Sequence, residues 1–205
     1  MIGVTVMPKV IFTYSWIYDQ HWKDIQKKKS YHSPKKIENF IRKAEKLWRK
    51  DEKKILAELS RITGLKWKSK AITCYVVGRC APFSDPLTLP VMEKYPDYFI
   101  DTLIHELLHQ LLFVQNEAET KKAWDYIFKK YRKEPLNTKL HIPVHAVHSH
   151  IYLKFFDERR LKREIKVIRF MPDYKRSWEI VERSHKEILR EFKSRIKKLN
   201  RAKQM

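Results

Sequence analysis

Apolar positions recur along this chain in two rhythms. Residues 9–18 (KVIFTYSWIY), 70–78 (KAITCYVVG) and 164–170 (EIKVIRF) are short runs rich in β-branched and aromatic residues, and they predict strands. Elsewhere the period is helical. Ile37, Phe40, Ile41, Ala44, Leu47, Trp48, Ile55 and Leu59 predict one amphipathic helix from Ser33-Pro34, an N-cap followed by proline at the first helical position, to about Ile62, stopped by Gly64. Pro96 opens a second helix of about twenty residues, whose apolar positions are Phe99, Ile100, Leu103, Ile104, Leu107, Leu108, Leu111 and Leu112. Further helices are predicted over 117–132, from Pro143 through 156, and over 173–201, the last strongly basic. The proline-punctuated stretch 81–92 predicts a loop with a short edge strand. With no internal repeat and no long linker, the reading is one domain over 1–205, of α+β class and predominantly helical, its small sheet packed on the helix that Pro96 opens.

Composition narrows the class. A 205-residue chain with 43% hydrophobic residues is long and apolar enough to bury a core, which excludes wholesale disorder. No stretch reaches the roughly 18 to 20 apolar residues of a membrane span. The first 18 residues lack a basic start followed by a small-residue cleavage site, so a cytoplasmic location is expected. Cys74 and Cys80 form neither a CxxC pair nor a disulfide framework.

The net charge of +21 is unevenly distributed. Cys80 to Thr120 carries −6, and the other 164 residues carry +27, much of it at 23–54 and 154–203. An acidic centre sits within a basic envelope. Lysine-rich charge with only three glycines also has a thermophile-like look.

Inside that centre stands His105-Glu106-Leu107-Leu108-His109, an H-E-x-x-H on a predicted helix. Chance supplies about 0.03 such motifs in a chain of this composition, so the match carries weight. Residues i and i+4 share a helix face, which lets two imidazoles take adjacent corners of a zinc tetrahedron. Glu106 stands on the rim of that face, where a carboxylate can take a proton from a zinc-bound water and later deliver it to a leaving amine. His105, His109 and Glu106 are therefore the candidate metal ligands and general base.

These three residues make the chain resemble the zincins, metallopeptidases built around an HExxH helix. The order of a long helix, strand material and then the motif helix is also similar. The resemblance implies a zincin-like fold holding one Zn2+ per chain, peptide or protein substrates, and a sheet whose edge strand, near 81–92, lies above the metal. The metzincin continuation is excluded, because Leu112 and Gln115 stand where that pattern has Gly and His. Gluzincins take a glutamate from a following helix, which points to Glu119; it lies ten residues past His109, about 15 Å along a continuing helix. The histidine-rich stretch at 141–150 is better placed to return. His141, His145, His148 and Tyr152 fall on one stripe beside apolar Val144, Val147, Ile151 and Phe155. His145, central in that stripe, is the expected third ligand, with His148 and Glu119 as alternatives.

Asp101, one turn before His105, is a candidate hydrogen-bond partner for a ligating imidazole, and Tyr152 or His148 for an oxyanion. The expected function is zinc-dependent peptide hydrolysis. The alternative is a basic nucleic-acid-associated binding protein with a structural zinc, its basic helices meeting phosphates and Trp16, Trp22, Trp48, Trp67 and Tyr31 offering rings for stacking.

Overall fold

The computed structural model describes residues 7–26, 30–94, 96–168 and 170–202. Residues 1–6 of the opening segment and position 169 of the third predicted strand lie outside them. The fold is α+β and predominantly helical, with a small mixed sheet. Among the described residues, no helix is long and apolar enough to cross a membrane. Contacts divide the chain into two compact units, Met1–Leu56 with Trp67–Gln115, and Ala57–Lys66 with Asn116–Met205.

The first unit is built on the sheet. Strand β1 (Lys9–Thr13) is followed by helices α1 (Trp16–Gln26), α2 (Pro34–Arg49) and α3 (Glu52–Thr63), the last contributing residues to both units. Then come β2 (Ala71–Val77), β3 (Phe83–Ser84), β4 (Leu87–Pro90) and helix α4 (Pro96–His109). The strand order is β1-β2-β4-β3; β1, β2 and β4 run parallel and the edge strand β3 antiparallel. Phe12 of β1 meets Phe99 of α4, which meets Phe40 of α2, so α2 and α4 cover one face of the sheet. On the other face Tyr18 of α1 packs on Tyr75 and hydrogen-bonds Thr88.

Two expectations change here. The predicted strand 9–18 ends at Thr13, and its remainder enters α1, because Ser15 accepts from the backbone N–H groups of Tyr18 and Asp19 and starts a helix. The predicted helix 33–62 begins at Pro34 and ends before Gly64 (φ 78°) as expected, but it breaks at Lys50 and Asp51. Arg49 and Glu52, on either side of the break, close the open edge of β1: Val10 N–H donates to Glu52 Oε1 (2.8 Å), and Arg49 donates to Val10 O (2.8 Å) and pairs with Glu52. Side chains thus satisfy backbone groups that another strand would otherwise pair. Trp48 and Trp67 are core residues and Trp22 packs on Phe83, which leaves Trp16 as the exposed one of the four tryptophans considered for stacking.

The second unit is helical: α5 (Glu117–Lys130), α6 (Leu136–Phe155), α7 (Glu158–Ile168) and α8 (Pro172–Ala202), which kinks at Ser184. Helix α6 packs chiefly on α8 and buries residues around most of its circumference, as a central helix does. It begins seven residues before Pro143, which lies inside it, contrary to the expected start. The predicted strand at 164–170 is also overturned. Residues 164–168 belong to α7, where Leu161, Ile165 and Ile168 bury one helical face while Val167 and Phe170 stay exposed. Glu58, buried near the end of α3, accepts from Arg61, His150 and Lys154, and these partners hold its carboxyl well below the usual range.

One close approach organises the start of the first unit. Buried Asp19 accepts from Tyr31 Oη (2.6 Å) and from Gly78 N–H (2.8 Å). A Cβ on Gly78 would stand 2.4 Å from the Tyr31 ring, so glycine is required by contact. Gly78→Ala is expected to cost about 1–3 kcal/mol in urea unfolding, and clearly less in a Tyr31→Ala background. Equal losses in the two backgrounds would show that the ring is not the obstacle.

Candidate metal centre

Helix α4 carries HELLH into a nearly dry setting. Phe99, Ile100, Leu103, Ile104, Leu107 and Leu108 are buried, as expected from their period, and so are the polar Asp101, His105 and Glu106. His105 and His109, one turn apart, bring their Nε2 atoms to 3.1 Å. Two nitrogens bound to one tetrahedral zinc stand about 3.3 Å apart, so the pair is already spaced for a shared ion. The His109 ring also stacks on Phe113.

Glu106 follows His105 and is 6% exposed. Burial pushes its carboxyl up to about 8. Its charge reaches two thiols of the sheet side: burial raises Cys80 to about 12 and Cys74 well above the ordinary range, and the Glu106 carboxylate adds to both. Both cysteines are free.

The helix changes pitch directly after the motif. Residues Gln110–Val114 form a π-turn, closed by Gln115 N–H donating to Gln110 O at 2.9 Å, and Asn116 (φ −133°, ψ 34°) ends it. Glu119 thus lies in the first turn of a separate helix, α5, and not ten residues along a continuous one. Gln110 donates from Nε2 to the Ser84 carbonyl of β3. The hydrophobic period passes unbroken through Leu111 and Leu112, so it gives no sign of this turn.

In the second unit, His141 opens the histidine stripe of α6 and is buried. Its Nδ1 lies 2.8 Å from the Asn137 carbonyl, which accepts only, so Nδ1 carries the proton and Nε2 the lone pair. Burial lowers its pKa and keeps the ring neutral. This is the tautomer a ligating histidine adopts when a carbonyl orients it.

The candidate metal ligands are His105 and His109 in the first unit and His141 in the second. His145, the expected third ligand, makes contacts within the second unit. Its Nδ1 lies 3.0 Å from Ser177 Oγ, and its ring stacks on Trp178 at 4.4 Å. His148 is buried with its pKa lowered to about 3 by desolvation, and lies against Tyr152, itself packed on Phe156. His141 is the first member of the stripe read from the sequence, where His145 is favoured for its central place.

No protein-family model, curated protein or solved structure matches the chain.

His141→Ala is expected to weaken zinc binding beyond the roughly 10–100-fold typical of losing an outer-shell partner, whereas His145→Ala stays within that range. Competition with a chromophoric chelator measures both. Zinc affinity kept by His141→Ala and lost by His145→Ala would return the third position to His145.

Proposed function

We propose that the chain is a zincin-like zinc metallopeptidase: His105, His109 and His141 hold one Zn2+, and Glu106 is the general base and acid of peptide hydrolysis. The pair of imidazole nitrogens 3.1 Å apart, with a buried carboxylate next in sequence to the first, carries this reading. Three protein ligands are the number that leaves zinc a position for water or substrate, whereas structural sites close with four.

A neutral imidazole is the protonation state that binds metal, and burial enforces it at His141. The His105 and His109 rings are fixed by the helix that carries them, so the ion meets a preformed pair. Bound there, zinc supplies Lewis acidity, polarising a substrate carbonyl and lowering the pKa of a coordinated water to about 7. Glu106 accepts a proton during the attack and returns it to the amine that departs. The sheet adds support, because its antiparallel edge strand β3 is joined to the residue that follows the motif.

Protein purified without chelators is expected to contain about one zinc per chain by elemental analysis and to cleave unfolded β-casein. Glu106→Gln should keep the zinc and lose at least about a hundredfold in rate, the lower end of what a general base contributes. Absence of stoichiometric metal, or unchanged turnover in Glu106→Gln, would overturn the proposal.

A further inference from the structure

We infer that Gln110 is a positioning residue, which ties edge strand β3 to the metal-binding helix and so sets where an extended peptide lies relative to His105 and His109. The inference deepens the peptidase reading of the preceding subsection and rests on it.

Strand β3 has only two residues, paired to β4 through Phe83↔Thr88 and Ser84↔Leu87. A strand that short has little stability of its own. Two further contacts hold it. From α1, the Trp22 ring packs on Phe83 at 5.4 Å. From the helix side, Gln110 donates to the Ser84 carbonyl, and this glutamine is 9% exposed, so the hydrogen bond is shielded from water.

The π-turn makes a second tie possible. Residues five apart on an α-helix point about 140° away from each other, whereas the i to i+5 closure sets Gln110 and Gln115 one above the other. Gln115 uses its Oε1 to accept from the backbone N–H groups of Lys68 (2.8 Å) and Ser69 (3.4 Å), which lead into β2. The two ends of one widened turn thus hold backbone on both sides of the motif: the edge strand through Gln110 and the approach to the central strand through Gln115. The turn directly follows His109, so any slack in β3 would change its height over the metal-binding pair.

Gln110→Glu is the informative variant. It keeps the shape of the side chain but replaces the N–H donor with an oxygen that faces the Ser84 carbonyl. Gln110→Ala removes the group altogether. In the zinc-loaded full-length protein, both variants should keep one zinc per chain. Amide exchange over residues 83–90 should quicken about tenfold, the worth of one hydrogen bond. With a quenched fluorogenic peptide as probe, KM should rise about tenfold while kcat stays within about threefold, because the reacting groups remain in place. Wild-type exchange together with wild-type KM would overturn the inference, and so would loss of zinc or a fall confined to kcat. If the zinc-loaded parent protein cleaves no peptide, the peptidase reading fails by itself, and the exchange measurement alone decides whether Gln110 holds the strand.

Discussion

Desolvation governs the candidate site. Helix α4 buries Asp101, His105 and Glu106 alongside its own leucines, isoleucines and phenylalanine. Burial penalises every charged form: it raises the Glu106 carboxyl to about 8 and lowers the pKa of His141. The same penalty prepares His141 for a cation, since an imidazole kept neutral retains the lone pair a metal needs. Groups that are poor isolated charges in such a place are good ligands there.

Much of the first unit can be understood as support for that helix. The sheet packs on α4 through Phe12 and Phe99, and α2 completes the contact through Phe40. Arg49 and Glu52 finish the β1 edge, and Asp19 gathers Tyr31 and Gly78 around itself. Each of these places a polar group where it is satisfied, so the apolar layer above HELLH remains intact. The π-turn after the motif then joins helix to strand with side-chain amides, which carry no charge into the interior.

What the sequence revealed was local. The HELLH phase, the Ser33-Pro34 start, the stop at Gly64 and the cores of β1 and β2 are written in neighbouring residues, and the structure has them. What it hid depends on tertiary partners. EIKVIRF has strand composition, but the buried stripe Leu161, Ile165, Ile168 makes it helix. Pro143 reads as a helix start, yet α6 runs through it. The break at Lys50 and Asp51 has its use at Val10, about forty residues earlier in the chain, and the Gln110 contact reaches back to Ser84. No periodicity encodes such pairings.

The most direct test of the central claim is X-ray absorption at the zinc edge of the purified protein. The account predicts three imidazole nitrogens at about 2.0–2.1 Å and a remaining position filled by water oxygen. A shell of four protein ligands, or sulfur at about 2.3 Å from Cys74 or Cys80, would contradict it.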